Sequence, residues 1–176
     1  RSLDNKDRWL MLLDPESSGL KLLDHQHDEA WIGGPGIGGF FGNLGWLNNS
    51  TVWFQSEESG YSQLYTVNVE TSERKALTSG QFEIIDAELS KDKQFFYLTS
   101  NKETPFERHF YRMPVAGGTM EKLTTLPGNH EVTLSPDERW LAIRYSYSNK
   151  PWELYLQENK PGSKPMQVTK STTADF

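Results

Sequence analysis

Short runs of apolar residues, rather than helical spacing, dominate the hydrophobic pattern of this chain. The clearest runs are residues 95–98 (Phe-Phe-Tyr-Leu) and 140–143 (Trp-Leu-Ala-Ile). Both faces of such a strand are apolar, which is typical of a strand covered on both sides of its sheet. The i, i+3, i+4 spacing of an amphipathic helix does not occur in these segments. The pattern therefore predicts an all-β protein whose inner strands are buried on both faces.

These runs belong to a unit that occurs three times along the chain. Its first segment begins at Leu47, Leu89 and Leu134, and the third copy reads Leu-Ser-Pro-Asp. A second segment carries a tyrosine, and a third closes on Leu-Thr or Val-Thr; the members are Tyr65, Tyr111 and Tyr155, then Thr78, Thr124 and Thr169. The unit is about 45 residues long. Four short strands in a period of about 40–50 residues are typical of a β-propeller blade.

The N-terminal stretch fits half of this unit. Residues 12–23 overlay residues 66–77, the last two strands of a unit. The predicted fold is thus a partial β-propeller of about three and a half four-stranded antiparallel blades. All of 1–176 is assigned to one propeller domain, divided into a half blade 1–28, blades 29–79, 80–126 and 127–170, and the start of a linker at 171–176. Closed propellers have about 4–8 blades, so we expect either a larger parent propeller or association of two copies through their open blade faces.

Composition excludes several classes of function. The 176 residues carry a net charge of −6 with no basic stripe, so no nucleic-acid partner is expected. No apolar run approaches the roughly 20 residues that span a bilayer, so no membrane span is expected. The absence of cysteine fits a periplasmic or other extracytoplasmic bacterial location, and equally the cytoplasm. The chain begins at Arg1, and we expect it to be an internal piece of a longer protein.

A glycine-rich segment at 33–45 is the first candidate site. It formally contains G-x-G-x-x-G at Gly34, Gly36 and Gly39. A dinucleotide fingerprint also needs a helix after the glycines, and the sequence predicts none here, so no nucleotide cofactor is expected. The segment is interpreted as an insertion between blades. Phe40 and Phe41 at its tip are the candidates for lining a ligand path.

The histidines suggest metal or ion-pair chemistry, with structural alternatives. His25 and His27 would share one face of a strand and, with Asp28 and Glu29, resemble metal-ligand material. A polar turn explains them better, and no metal site is expected. The group Glu107, Arg108 and His109 is interpreted as structural pairing, with the propeller channel as the alternative, and His130 as a hydrogen-bonded side chain. The two overlapping glycosylation sequons at 48–51 are explained by turn chemistry.

Catalytic machinery is not expected in this chain. A serine hydrolase of α/β type needs G-x-S-x-G on a turn from strand to helix. The nearest pentapeptide, Gly60-Tyr61-Ser62-Gln63-Leu64, lacks the second glycine. No catalytic residue is therefore assigned.

Several stretches nevertheless resemble a known family. They are DEAWIGGPG at 28–36, SGYSQLY at 59–65, RHFYRMPV at 108–115, LSPD at 134–137, and residues 145–157. Together they are similar to the propeller of prolyl oligopeptidase family serine peptidases, in the dipeptidyl peptidase IV-like branch. The likeness extends over nearly the whole chain.

The resemblance implies a division of labour in the parent protein. An α/β-hydrolase domain, missing from this chain, would cleave peptides, often after proline, through a serine acyl-enzyme. The propeller would act as a lid and size filter and would help to bind the peptide substrate. The 33–45 segment roughly matches a region that approaches substrate in relatives, which again selects Phe40 and Phe41. The glutamate pair that holds the substrate amine lies earlier in the family's propeller, so that role is not transferred to Glu57 and Glu58.

A second hypothesis comes from a different class. A stand-alone propeller module that binds a protein or a small ligand would carry the same repeat. The two hypotheses differ in what the reading frame encodes after Phe176. The peptidase requires G-x-S-x-G followed by Asp and His within roughly 250 residues.

Overall fold

The computed structural model describes residues 1–38 and 42–172, and every regular element in those ranges is a β-strand. The chain divides into two compact units, Arg1–Ala87 and Glu88–Phe176. The described residues include no helix long and apolar enough to cross a bilayer.

Fourteen strands are found in the described residues, and they form four antiparallel sheets. The first sheet contains β1 (Asp7–Leu13) and β2 (Leu20–His27). The second contains β3 (Leu44–Asn48), β4 (Thr51–Ser56), β5 (Gln63–Asn68) and β6 (Arg74–Ala76). The third contains β7 (Ile84–Leu89), β8 (Phe95–Ser100), β9 (His109–Pro114) and β10 (Glu121–Lys122). The fourth contains β11 (Asn129–Leu134), β12 (Trp140–Tyr147), β13 (Lys150–Glu158) and β14 (Met166–Gln167).

Each repeat predicted from the sequence is one sheet. Neighbouring strands in the sequence are neighbours in all three four-stranded sheets. The N-terminal half unit is a two-stranded sheet. This arrangement confirms the predicted fold class, because each blade of a propeller is a four-stranded meander.

The closing threonine of each repeat has a structural reason. The Oγ1 atoms of Thr78, Thr124 and Thr169 accept the backbone N–H groups of residues 64, 110 and 154, at 2.9, 3.0 and 2.8 Å. The residue before each threonine donates its own N–H to the carbonyl of the same partner, at 2.7–2.8 Å. A hydroxyl thus continues the ladder where the last strand ends, which satisfies a backbone donor of the third strand.

Turn chemistry explains two further motifs. In the Leu-Ser-Pro-Asp turn, the Oγ of Ser135 donates to Asp137 at 2.6 Å and accepts the N–H of Trp140 at 2.9 Å. In the sequon at 48–51, the side-chain oxygen of Asn48 accepts the N–H of Ser50 at 2.9 Å. This contact is an Asx-turn, so the turn interpretation accounts for the asparagine.

Burial confirms one prediction about the apolar runs and contradicts the other. In β8, Phe96, Tyr97 and Leu98 are all buried, so both faces of that strand are covered. In β12, Leu141 is fully buried but Trp140 is 41% exposed, and Ala142 and Arg144 beyond it are exposed too. The expectation that β12 is covered on both faces was therefore wrong. An apolar run shows that both faces of a strand could be buried. Among the described residues, only one face of β12 packs against another sheet.

Candidate functional site

The glycine-rich segment leaves the first sheet after β2 and enters β3. Phe40 and Phe41, the predicted substrate-binding residues, lie outside the described residues, as does Gly39. The two arms on either side, residues 33–38 and 42–45, are described. The segment leads into a strand and not a helix, so the nucleotide-binding pattern has no helix N-terminus to complete it.

A carboxylate holds the first arm of the segment. Glu57, just after β4, accepts the backbone N–H of Gly33 at 2.9 Å and that of Gly34 at 2.8 Å, one with each oxygen. Hydrogen bonds to an ionised carboxylate are about twice as strong as those between neutral groups. Two adjacent amides are therefore held on a single side chain.

A buried amide fastens both arms to the second sheet. The Gln55 side chain accepts from Nδ2 of Asn43 at 2.6 Å and donates to the carbonyl of Ile84 at 2.6 Å. Ser62 donates its hydroxyl to the carbonyl of Pro35 at 2.7 Å. Gln55 and Ser62 are buried, so these bonds are shielded from competition by water.

The two arms also bond to each other. The N–H of Asn43 donates to the carbonyl of Gly36 at 2.7 Å. Gly36 has a φ of 67° and lies against the Gln55 side chain, where a Cβ atom would overlap it. A side chain at this position would therefore be strained in backbone and in space. Ile32 and Ile37 are buried. We call the contacts that hold the two arms, from Gln55, Glu57 and Ser62 and between Asn43 and Gly36, the clamp.

The base combines a cation with carboxylates. Nη1 of Arg8 donates to the carbonyl of Gln55 at 2.7 Å, and burial lowers the pKa of this guanidinium. An arginine nevertheless stays charged in proteins. Glu83 accepts the N–H of Ser62, and burial raises the pKa of its carboxyl. These charged side chains lie beside the described arms of the segment.

Ser62 does not act as a nucleophile in this arrangement. Its hydroxyl is buried and donates to a backbone carbonyl. An activated serine would instead donate to a general base such as histidine. Ser62 in this pentapeptide therefore helps to hold the first arm of the glycine-rich segment.

The neighbouring glutamates also have separate structural contacts. Glu57 holds the glycine amides, whereas Glu58 accepts from Arg74 at 2.5 Å. Arg74 contacts the buried Asp24 as well, at 3.0 Å. Sequence reasoning missed the roles of Gln55 and Glu57, because nothing in the local pattern shows that the end of β4 faces the glycine segment.

The histidines of β2 lie on one face of the strand, as predicted. Nε2 of His25 and Nδ1 of His27 both contact Oδ1 of Asp7, at 2.8 and 2.9 Å. Asp7 raises the pKa of His27, and the same contacts lower the pKa of Asp7. The two histidines belong to β2 itself, so the interpretation as a turn was wrong. Among the described residues no group of three or more potential ligands is arranged to hold a metal ion.

The second histidine pair lies buried in the other unit. Nε2 of His109 contacts Glu107 at 2.9 Å, and its Nδ1 contacts the hydroxyl of Thr124 at 3.1 Å. Nδ1 of His130 donates to the carbonyl of Arg108 at 2.8 Å. The interpretation of both histidines as structural, hydrogen-bonded side chains is confirmed. His130 lies within β11, one residue inside the strand that it was expected to precede.

Comparison with known proteins places this chain. A family model described as the dipeptidyl peptidase IV (DPP IV) N-terminal region matches residues 4–152. The chain belongs to this family. The probable dipeptidyl-aminopeptidase B of Aspergillus niger is 33% identical over 99 residues, which cover 53% of this chain and 11% of that protein. The probable dipeptidyl-aminopeptidase B of Emericella nidulans is 28% identical over 119 residues, which cover 65% of this chain and 13% of that protein.

A solved structure supports the same assignment at the level of fold. The crystal structure of Porphyromonas gingivalis dipeptidyl peptidase 4 superposes with a TM-score of 0.73 at 17% identity. The match covers 97% of this chain and 23% of that one. The part of the DPP IV N-terminal region that this chain represents thus folds as a partial β-propeller. The chain spans only 11–13% of the length of the curated relatives quoted above.

Proposed function

We propose that this chain is the non-catalytic propeller part of a serine exopeptidase similar to dipeptidyl peptidase IV. In this proposal it gates and helps to bind peptide substrates that an α/β-hydrolase domain, outside the present sequence, cleaves. Family membership supports a peptidase context. The clamped base of the glycine-rich segment supports the binding role.

The observation that carries the proposal is the geometry of the clamp. Glu57 and Gln55 hold the arms by side chains, and the bond from Asn43 to Gly36 joins the arms. A rigid base lowers the entropy that a tip loses when it contacts a ligand. The two aromatic residues in the tip, Phe40 and Phe41, offer apolar area for a peptide such as a proline-containing one.

The test uses the full-length protein that contains this chain. Steady-state kinetics are measured with a chromogenic dipeptide substrate that contains proline and with a longer peptide. We expect Phe40→Ala and Phe41→Ala to raise KM about tenfold, the loss expected for one aromatic contact, with a smaller change in kcat. The melting temperature should stay unchanged.

A matched control separates this effect from the loss of any exposed aromatic ring. Phe106 is an exposed loop phenylalanine outside the glycine-rich segment, and Phe106→Ala should leave KM unchanged. Unchanged kinetics in both tip variants would refute the binding role. The 176-residue chain alone should hydrolyse neither substrate, and turnover by the pure chain would refute its non-catalytic assignment.

The peptidase context has its own test. The reading frame after Phe176 should encode G-x-S-x-G, then Asp and His in that order. A reading frame that ends soon after Phe176 would instead support the stand-alone binding module.

A further inference from the structure

A cavity of about 460 Å³ lies in the second unit, beside three connections of the third and fourth sheets. It is bounded by the connection from β8 to β9, by the start of β11 and by the end of β12. Its volume is in the range of ligand sites in proteins. We call it the loop cavity, and its lining includes Glu107, Gly128, Asn129, Ser146 and Tyr147.

Backbone hydrogen bonds join the three sides of the loop cavity. The N–H of Arg108 donates to the carbonyl of Gly128 at 3.1 Å, and the N–H of His130 donates to the carbonyl of Arg108 at 3.2 Å. Asn129 pairs with Ser146 in the register of β11 and β12. The walls of the cavity are therefore fixed to regular structure, as in ligand sites that exist before the ligand binds.

One wall of the loop cavity has a backbone conformation that favours glycine. Gly128 has a φ of 123°, and a Cβ atom at this position would overlap the carbonyl of Ser146 and the ring of Tyr147. The aromatic ring thus packs directly on the glycine backbone. Tyr147 is 43% exposed, so its ring is accessible to a ligand.

Glu107 brings a negative charge to the cavity, and a buried histidine orients it. The Thr124 hydroxyl contacts Nδ1 of His109 and accepts the N–H of Phe110, so its own proton is available to Nδ1. Nε2 of His109 then carries the ring proton and donates to Oε2 of Glu107 at 2.9 Å. The Glu107 side chain is 20% exposed, and no described residue donates a hydrogen bond to its other oxygen, Oε1. One carboxylate oxygen is therefore left for a ligand.

Asn129 supplies a second acceptor. Its Oδ1 atom is buried and accepts no hydrogen bond from any described residue. A buried polar atom without a partner is unfavourable, and a bound ligand is one way to satisfy it. Among the described residues that line the cavity, none is a lysine or an arginine. The lining thus combines oxygen acceptors and one carboxylate with no positive charge of its own.

We propose that the loop cavity binds a primary ammonium group, such as that of a lysine side chain. The three donors of an ammonium nitrogen match the Glu107 carboxylate, the Asn129 amide oxygen and a hydroxyl such as that of Ser146. The ring of Tyr147 also attracts a cation. A bare metal ion is a poorer match, because the described residues contain no group of three or more potential metal ligands. This inference does not depend on the proposed peptidase function.

The test measures binding to the full-length protein that contains this chain by ligand-observed nuclear magnetic resonance. The probe is Nα-acetyl-lysine amide, which is blocked at both ends, and Nα-acetyl-norleucine amide is its uncharged counterpart. We expect a Kd of about 1 mM for the lysine probe and at least about tenfold weaker binding of the norleucine probe. n-Butylamine separates two sources of the ammonium group. Equal affinity for it would support a free amine as the ligand, and weaker binding would support a lysine of a peptide.

Two variants test the acceptors, and a third is the matched control. Glu107→Gln removes the charge but keeps an oxygen for the N–H of His109, so the Kd of the lysine probe should rise about tenfold. Asn129→Ala removes the unpaired oxygen and should raise the Kd about fivefold. Glu103→Gln makes the same change on the same connection, but Glu103 accepts from Tyr111 at 3.1 Å and does not line the cavity. It should leave the Kd unchanged.

Melting temperatures check that each variant is folded, and Asn129→Ala keeps the test valid if Glu107→Gln is not. Three results would overturn the proposal. They are no saturable binding of the lysine probe up to about 50 mM, roughly fifty times the expected Kd, equal binding of the norleucine probe, and a wild-type Kd in the folded variants. Equal weakening by Glu103→Gln would also overturn it, because the attraction would then be to the overall charge and not to this cavity.

Discussion

The four histidines of the chain form two pairs in opposite surroundings. His25 and His27 lie on the surface of the first sheet, where their side chains are 42% and 46% exposed and share one oxygen of Asp7. His109 and His130 lie inside the other unit, almost fully buried, with ring centroids 4.9 Å apart. The sequence shows no difference in kind between these pairs. Their surroundings decide their charge.

The pKa of His27 and the pKa values of the buried pair move in opposite directions for that reason. Contacts with Asp7 and Glu29 raise the pKa of His27. Burial lowers the pKa of His109 and His130, in spite of the Glu107 carboxylate beside His109. An ion-pair partner favours the protonated ring, whereas removal from water disfavours it. The buried pair is therefore neutral near pH 7, and its hydrogen bonds require defined tautomers.

The largest expected effect is acid destabilisation through His130. Burial lowers its pKa from 6.5 to about 4. The unfolded chain takes up a proton as the pH falls below about 6.5, but the folded chain does not until about pH 4. His130 therefore lowers the free energy of unfolding by about 3 kcal/mol as the pH falls across that window. Urea unfolding at a series of pH values between 7 and 4 measures this loss.

His130→Asn isolates that contribution. Asparagine can still donate to the carbonyl of Arg108 but does not titrate, so stability should fall less steeply with acid. The groups that interact electrostatically with this ring, His109, Lys122 and Glu107, remain in the variant. If the free energy of unfolding of His130→Asn fell with pH as steeply as that of the wild type, His130 would not be the source of the acid destabilisation.

The next largest effect concerns the hydrogen bonds of Thr124, one of which fixes the tautomer of His109. The hydroxyl of Thr124 accepts the N–H of Phe110 and contacts Nδ1 of His109, so Thr124→Val leaves two buried polar groups without partners. We expect the free energy of unfolding to fall by about 2 kcal/mol. Thr78→Val removes only the contact with the Leu64 N–H, and about 1 kcal/mol is expected.

Urea unfolding at pH 7 compares the two valine variants. Thr124→Ser keeps the hydroxyl and should recover most of the loss. If the two valine variants lost equal stability, the contact between the Thr124 hydroxyl and His109 would contribute nothing measurable to stability.

The smallest effect belongs to the exposed pair. Asp7→Asn removes the carboxylate that raises the pKa of His27, so the pKa should fall toward its ordinary value. The raised pKa stabilises the fold below the unfolded value and loses that effect as the pH rises through the folded value. Nuclear magnetic resonance titration of the imidazole protons measures the shift. The His130 signals provide an internal reference, and an unmoved His27 pKa would contradict the role of Asp7.

Periodicity predicted the sheets better than it predicted their surroundings. The recurring tyrosines and Leu-Thr pairs place every four-stranded sheet because each repeat contains its own strands and turns. The run at 140–143 predicted two covered faces, but Trp140 is exposed, because burial of a face depends on a neighbour that a local pattern does not describe.

The site was predictable only in its location. Glycines at 33–45 indicate a segment outside regular structure. The structure confirms this for residues 33–38, 42 and 43, whereas Leu44 and Gly45 already belong to β3. The contacts of Glu57 and Gln55 link positions about 20 residues apart in the chain. These contacts depend on the packing of β4 beside the segment. A glutamine or a glutamate at the end of a strand does not indicate such packing in the sequence.

The last strand of each four-stranded sheet is very short, two or three residues in β6, β10 and β14. Beyond it, a threonine hydroxyl replaces the next rung of the ladder. An incoming strand therefore meets few free amides along this rim, and β6 and β10 also carry charged side chains. Growth of the sheet into a fibril by strand addition is disfavoured at that rim.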